Sequence, residues 1–413
     1  MILRVRYTLN PPEKVVFVPQ SQPGSLSQQR DLPAPQVKQI RQAPTPTLAA
    51  LSTLSQQQGV EELPAATPTA TPAPLPTQTR PPLPERVSLA GVRYEDQHGR
   101  YNYCAPANLA MALSFWGWNG NRDTVGPILK PDPKDKNVMP YEMAAYVTEN
   151  TDLQALTRVA GSQEILKQLI AAGYPVLIEK GAYLTDLTGV KSWMGHYLVV
   201  TGYDDSAGVF LTQDSFLGAD REVPYEALNA GWRAFNYQYI VIYPPEREND
   251  VLAFLGPDAD EVANFQNAAQ KASDEIFSTA GIDRYFAWFN RGSSLVQLQD
   301  YMGAAQAYDE AFAVYPSIPE AERPWRMLWY QTGPYFAYFY SERWYDVLNL
   351  ADTTLNAMQS DKNLEESYYW RGMAKKALGD TSGAIQDFQT SLVYHPGFSP
   401  SVIQLNLLGA PVQ

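Results

Sequence analysis

The spacing of hydrophobic and polar positions divides the chain into regions of different character. Between residues 87 and 245, short alternating runs typical of strands lie among runs with helical spacing. After residue 245 the spacing is helical to the end of the chain, whereas residues 20–86 follow neither period. These patterns predict an α+β domain at 87–245 and an all-α domain at 246–413.

Within the α+β domain the pattern predicts three helices and four strands. The first helix begins near Cys104, because Pro106 is tolerated in a first helical turn and apolar residues then recur every three or four positions. The other helices are expected at 141–150 and 162–172, and the strands at 175–179, 196–203, 209–213 and 237–243. Residues 204–208 carry the polar and glycine residues of a tight turn between two strands.

The region before this domain has a different composition. Residues 1–19 form a short N-terminal segment, and residues 20–86 are rich in Pro, Thr, Gln, Ser and Ala. Such a segment buries too little apolar area to offset the entropy of ordering, so it is predicted to be a disordered linker. Pro/Thr spacers are common in exported bacterial proteins. We therefore expect an extracytoplasmic or cell-surface location, with the export segment missing from the given start; a cytoplasmic location stays open.

The all-α domain contains a repeated frame of six positions. The first copy is Trp288, Gly292, Ala304, Tyr308, Ala311 and Pro316, and the second is Tyr368, Gly372, Ala384, Phe388, Ser391 and Pro396. This frame resembles the tetratricopeptide repeat over residues 285–398, with a degenerate unit at 324–355 between the two copies. The resemblance implies stacked helical hairpins that bind a protein partner.

Charge and cysteine content narrow the functional classes. The chain has 31 Lys and Arg against 44 Asp and Glu, a net charge of −13, which argues against nucleic acid as a partner. No stretch approaches the roughly 20 apolar residues of a membrane span. With one cysteine and three histidines in 413 residues, neither a metal site nor another cofactor is expected.

That single cysteine, Cys104, lies where the predicted helix begins. The positive end of the helix dipole favours the thiolate, which is the reactive form of a cysteine. The alternative is a small buried hydrophobic residue without chemistry.

A base and an orienting acid are found on the predicted hairpin. If the turn is centred on residue 205, His196 and Asp214 lie directly opposite each other, with their Cβ atoms about 5 Å apart. If the pairing register of the two strands is shifted by two residues, they become diagonal neighbours on one face. A shift by one residue puts them on opposite faces of the sheet. His98 is a weaker candidate base, because no orienting carboxylate is evident in register with it. His395 is expected at the surface.

An oxyanion formed at Cys104 would need two donors. The Cys104 backbone N–H is one, and the side chain of Gln97 or Asn102 is the other. Gly195 leaves space beside the imidazole for substrate. Trp193 and Tyr197 either line a peptide groove or belong to the core.

Taken together, these residues resemble the papain-like cysteine peptidases. The motifs are Gln97, Cys104-Ala105-Pro106, Gly195-His196-Tyr197 and Asp214-Ser215. They most resemble the double-glycine leader peptidase family (peptidase family 39) in its stand-alone form, although Ala105 stands where that family usually has glycine. The resemblance implies a papain-like fold, a peptide or protein substrate, and catalysis by Cys104, His196 and Asp214 with Gln97.

Three functional hypotheses follow from these observations. The first is a cysteine peptidase with a protein-binding repeat domain. The second is an inactive peptidase fold that serves as a scaffold and recruits partners through its repeats. The third is acyl transfer, because a Cys–His–Asp triad serves both chemistries.

Overall fold

A computed structural model describes residues 82–185, 189–358 and 361–412. The predicted N-terminal segment and almost all of the predicted linker lie outside the described residues. From Leu83 onward the chain forms one compact unit. Among the residues described, no helix combines the length and apolar character that crossing a membrane requires.

One antiparallel sheet occupies the centre of the α+β domain. Its seven strands in the described residues are β1 (Arg86–Ser88), β2 (Gln154–Arg158), β3 (Val176–Thr185), β4 (Lys191–Asp204), β5 (Val209–Asp214), β6 (Gly218–Pro224) and β7 (Tyr239–Tyr243). The strand order is β2-β7-β3-β4-β5-β6, with β1 paired to β4. The strand that carries His196 therefore lies between β3 and β5.

Helices cover both faces of this sheet. They are α1 (Cys104–Ser114), α2 (Arg122–Leu129), α3 (Pro140–Asn150), α4 (Gln163–Ala171) and α5 (Tyr225–Arg233). Leu177 and Val199 pack with α1 on one face, and Leu198 packs with α4 on the other. Because neighbouring strand residues point to opposite faces, both faces of β3 and β4 are apolar.

The predicted helices and strands of this domain are present, with shifted ends. The predicted helix at 162–172 begins at its cap, where the Ser162 hydroxyl accepts the Ile165 N–H at 3.2 Å. It ends before Gly173, which has a φ of +87°. The predictions missed β1, β2, β6, α2 and α5. β6 lacks an apolar face because it is a largely exposed edge strand.

A β-bulge changes the register between β4 and β5. Near the turn, Tyr203 pairs with Phe210, but beyond the bulge Val200 pairs with Thr212. Thr201 is the extra residue on β4. The expected register, with His196 directly opposite Asp214, is therefore wrong by two positions. The two residues are diagonal neighbours on one face; without the extra residue they would lie on opposite faces.

Helices continue from Pro245 to the end of the described chain. They are α6 (Glu248–Leu255), α7 (Glu261–Ser278), α8 (Gly281–Gln297), α9 (Tyr301–Val314), α10 (Met327–Tyr330), α11 (Gly333–Tyr340), α12 (Trp344–Asn356), α13 (Glu365–Ala377), α14 (Thr381–Tyr394) and α15 (Ser399–Leu407). Short 3-10 turns lie at Pro245–Arg247, Gly256–Ala259, Tyr315–Ser317 and Glu320–Glu322.

Two of the helical hairpins share the same close packing. A Cβ placed at Gly292 would lie 2.8 Å from the ring of Tyr308. The equivalent atom at Gly372 would lie 2.8 Å from the ring of Phe388. The glycines therefore allow an aromatic ring of the second helix to lie against the backbone of the first.

The sheet and the helical region meet at the hairpin of β3 and β4. From Glu179 onward β3 pairs with β4 alone, so this hairpin extends beyond the rest of the sheet. Its Tyr183 hydroxyl donates to the Glu322 carbonyl at 2.8 Å. The Trp193 ring lies between Phe235 and Phe286, with centroid distances of 5.9 and 6.0 Å. The hairpin thereby brings the helical region beside the strand of His196.

Candidate active site

The candidate nucleophile is the first residue of α1. Cys104 is partly exposed and opens this helix, with Pro106 in its first turn. Lys130 fixes the preceding loop, because its ammonium donates to the carbonyls of Tyr101 and Asn102 at 2.7 and 3.0 Å. The thiol therefore lies at a positive helix end on a loop that is held in place.

His196 and Asp214 form a buried hydrogen-bonded pair. Their side chains are 1% and 2% exposed, and His196 Nε2 lies 2.8 Å from Asp214 Oδ1. The same carboxylate oxygen accepts the backbone N–H groups of Phe216 and Leu217, each at 2.9 Å. Because Nε2 faces the carboxylate, Nδ1 is the ring nitrogen left for the thiol.

Hydrogen bonding and charge couple His196 to Cys104. Burial opposes ionisation of the thiol, but the hydrogen bond and charge of His196 outweigh it and lower the pKa of Cys104. Burial also disfavours a charged imidazole, but Asp214 and Cys104 raise the pKa of His196 to about 9. The pKa of Asp214 is held well below its usual range, against its burial, by His196 and the two backbone N–H groups. These shifts favour a thiolate beside an imidazolium.

Gln97 reaches the site through Ser215. The Ser215 hydroxyl donates to Gln97 Oε1 at 2.7 Å, and the Gln97 backbone N–H donates to the Ser215 carbonyl at 2.9 Å. The amide nitrogen of Gln97 takes no part in this hydrogen bond. The alternative donor, Asn102, instead donates its amide to the Lys136 carbonyl at 3.0 Å.

Asn108 joins the three chain segments of the site. Its buried amide nitrogen lies 2.9 Å from the Cys104 carbonyl, 2.8 Å from the Tyr197 carbonyl and 2.8 Å from Ser215 Oγ. It therefore ties the start of α1 to β4 and to the segment after β5. Sequence analysis did not single out Asn108, since an asparagine within a helix carries no separate signal for such contacts.

A cleft of about 340 Å³ opens onto these residues. Gln97, Cys104 and His196 line it, as do two of the three residues expected to contact substrate, Gly195 and Tyr197. The third expectation is not met. Trp193 lies outside the cleft and is 2% exposed, because Phe235, Phe286 and Tyr330 cover its ring.

Glu179 is a cleft residue that the sequence did not reveal. It pairs with Tyr197 across β3 and β4 and is 4% exposed. Burial raises its pKa well above the usual value, so the carboxyl is favoured in its neutral form beside Cys104. A single glutamate in an otherwise apolar strand gave no indication of this position.

The other two histidines lie outside the His196–Asp214 pair. His98 Nδ1 lies 2.6 Å from Oδ1 of Asp96 in the same turn, and the pair is exposed. His395 is not a surface residue; it is partly buried, with Nδ1 2.9 Å from Glu365 Oε1. Asp135, Glu365 and His395 bring possible ligand atoms within 4.8 Å of one another, and none of the three lines the cleft.

Comparison with known proteins finds a family match to the α+β domain. The model of the Peptidase_C39 like family matches residues 89–240, a span that includes Gln97, Cys104, His196 and Asp214. The α+β domain is thus similar to C39-like cysteine peptidases. A crystal structure of a proposed C39-like peptidase from Bacillus anthracis is 18% identical, with a TM-score of 0.32, and the match covers 38% of this chain and 96% of that chain. No curated protein matches the chain.

Proposed function

We propose that this protein is a cysteine peptidase that hydrolyses peptide bonds with Cys104, His196 and Asp214. The observation that carries the proposal is the buried His196–Asp214 hydrogen bond of 2.8 Å, with Cys104 lining the same cleft as His196, which lowers the pKa of the thiol. The family match over residues 89–240 supports the same chemistry.

In acylation, the Cys104 thiolate attacks the carbonyl carbon of the scissile bond and a C–S bond forms. The oxyanion is stabilised by the Cys104 backbone N–H and the Gln97 amide nitrogen. The imidazolium of His196 then donates its Nδ1 proton to the leaving nitrogen, and the C–N bond breaks.

In deacylation, His196 Nδ1 takes a proton from water, which attacks the thioester carbonyl. The C–S bond breaks, the acid product leaves, and the thiolate–imidazolium pair is restored. Asp214 holds the ring orientation and stabilises the imidazolium throughout.

Hydrolysis of a peptide library by the full chain, read by mass spectrometry, tests this proposal. Cleavage by the wild type, lost in Cys104→Ala and strongly reduced in His196→Ala, is expected. Cleavage that persists in a folded Cys104→Ala protein contradicts it. Transfer of the acyl group to an added amine, instead of water, would assign the same residues to an acyl transferase.

We also propose that the helical hairpins are tetratricopeptide repeats that bind a protein partner. The shared Gly292–Tyr308 and Gly372–Phe388 packing supports this assignment. Peptides selected by display against the full Cys104→Ala chain should protect amides within residues 281–394 from hydrogen exchange. Protection confined to residues 87–245 would argue against a partner site on the hairpins. The extracytoplasmic location stays a prediction, because the linker that suggests it lies outside the described residues.

A further inference from the structure

The helical region forms one wall of the candidate cleft. Arg326, Trp329 and Tyr330, at or next to the short helix α10, line the same cleft as Cys104 and His196. They follow the catalytic candidates by more than a hundred residues and lie outside the span that matches the family model. A ligand that fills this cleft would therefore contact both parts of the chain.

Lys136 is a buried cation on this cleft. It is 3% exposed, and its ammonium donates to the Tyr101 hydroxyl at 3.1 Å. The same nitrogen lies 5.1 Å from the centroid of the Tyr101 ring and 5.7 Å from that of Trp329. Within the described part of the chain, no carboxylate forms an ion pair with Lys136.

The charged groups around Lys136 are engaged with other partners. Asp361, Asp135, Asp132 and Lys134 all act on it electrostatically. Asp361 pairs with Lys134 at 2.6 Å, and Asp132 accepts from Asn363 at 2.6 Å. Asp135 is buried close to Glu365, and its pKa is raised well above the usual value by burial and by that neighbour. The Lys136 ammonium is thus desolvated without a dedicated counter-ion, an arrangement that favours an anionic ligand.

Arg326 adds a second cation to the same wall. It is 5% exposed, and its guanidinium carbon lies 5.3 Å from the Trp329 ring centroid. It is held by hydrogen bonds to Ser192 Oγ and, at 3.3 Å, to the Trp193 carbonyl. Trp329 therefore has cations near it from both parts of the chain.

The cleft contrasts in charge with the whole protein. Lys136 and Arg326 line it, as does Arg100, which is paired with Asp123 at 3.0 Å. Among the described residues that line it, Glu179 is the single carboxyl, and burial favours its neutral form. The complete chain has a net charge of −13. A local positive site within an acidic protein attracts an anionic group selectively.

We propose that the cleft recognises a carboxylate on its peptide ligand, held by Lys136 and Arg326 against the face of Trp329. The carboxylate comes from an acidic side chain or from a free peptide C-terminus. The inference rests on the proposed function for the nature of the ligand as a peptide. It assigns a specificity site to which the helical region contributes directly.

Binding to the full-length Cys104→Ala protein, measured by calorimetry, tests the proposal without cleavage. One pair of peptides differs only in Glu or Gln at an internal position; the other pair differs only in a free or amidated C-terminus. We expect one of the two carboxylate peptides to bind about tenfold more tightly than its neutral counterpart, because a charged hydrogen bond is made. That pair identifies the source of the carboxylate.

Substitutions at Lys136 distinguish recognition from general electrostatics. Lys136→Met should reduce the tenfold preference to less than about twofold, and Lys136→Arg should retain most of it. Lys191→Met is the matched control, because Lys191 is exposed and does not line the cleft; it should leave the preference unchanged. Thermal unfolding of each variant verifies that it is folded.

Two results overturn the proposal: equal affinities within both peptide pairs, or a preference that survives in folded Lys136→Met. Incubating the same peptides with the wild type separates this inference from the proposed function. Selective binding without any cleavage contradicts the peptidase and leaves the carboxylate site standing. Cleavage without selectivity between paired peptides contradicts the carboxylate site and leaves the peptidase standing.

Discussion

Tyr330 lies against the backbone of Gly195, the residue next to the candidate base. A Cβ placed at Gly195 would be 3.0 Å from Tyr330 Cδ1 and 2.8 Å from Phe235 Cζ. The space beside Gly195, expected from the sequence to admit substrate, is therefore occupied by two aromatic rings. This contact joins the strand of His196 to the helical wall of the cleft.

Gly195→Ala should therefore destabilise the protein and impair the cleft together. We expect a loss of about 1–3 kcal/mol in the free energy of unfolding, because neither ring can move without disturbing the core. The KM for peptide cleavage should also rise as the wall is displaced. Denaturant unfolding and steady-state kinetics measure the two effects. Phe235→Leu removes the atom nearest the new methyl group, so the double variant should lose less stability than the two single losses added together. Strict additivity would contradict the contact.

Asp214→Asn should reduce kcat/KM on the order of 100-fold or more, because the imidazolium loses the charge that stabilises it. The substitution also changes the pH profile. The wild-type pKa of His196 is raised to about 9, mainly by Asp214, so its proton is retained up to that pH. In the variant the alkaline limit of activity should move to lower pH. An alkaline limit that does not move would show that His196 does not supply the proton.

The reactivity of Cys104 towards iodoacetamide should depend on His196. In the wild type the lowered thiol pKa raises the thiolate fraction near neutral pH, so alkylation should be faster there than in His196→Ala. In His196→Ala the midpoint of the pH–rate profile should rise towards, or beyond, the value of an ordinary buried thiol. His98→Ala is the matched control, because its pair with Asp96 is exposed, and it should leave the midpoint unchanged. Identical profiles for wild type and His196→Ala would contradict the coupling.

Glu366→Gln should stabilise the protein at alkaline pH. Glu366 is buried, and burial together with Glu365, Glu142 and Asp135 raises its pKa well above its usual value of 4.5. Above pH 4.5, ionisation of this carboxyl lowers the free energy of the unfolded state but not that of the folded state. The free energy of unfolding therefore falls as pH rises. The neutral amide avoids this loss. The melting temperature of Glu366→Gln should therefore exceed that of the wild type at pH 8, and the difference should vanish near pH 4.5. Glu149→Gln, at an exposed helix position, should show no such trend.

The sequence was most informative where a local pattern carries the chemistry. Cys104 could be placed at a helix start from Pro106 and the apolar spacing, and strand alternation placed His196 and Asp214 on a single hairpin. Their diagonal relationship could not be predicted, because the bulge at Thr201 leaves no signal in an alternating run. The prediction that His196 and Asp214 share one face of the sheet is correct only because the predicted register is wrong by two residues and not by one.

Local sequence patterns could not predict the contacts between segments that are distant in the chain. The burial of Trp193 depends on Phe286, and the cleft wall depends on Trp329, both of which belong to the helical region. Lys136 appeared in the sequence as one charge in a polar loop, and nothing local indicates that it is buried. Its environment arises from the packing of two regions whose patterns predict separate domains.

The extended β3–β4 hairpin has a practical consequence for anyone preparing this protein. A fragment that ends at residue 245 would keep Cys104, His196 and Asp214 yet uncover the indole of Trp193 and the phenyl ring of Phe235, inviting self-association in solution. It would also lack Arg326 and Trp329. Poor yield or weak turnover from such a shortened protein would therefore reflect the missing helical wall of the cleft. It would not be evidence against catalysis by Cys104.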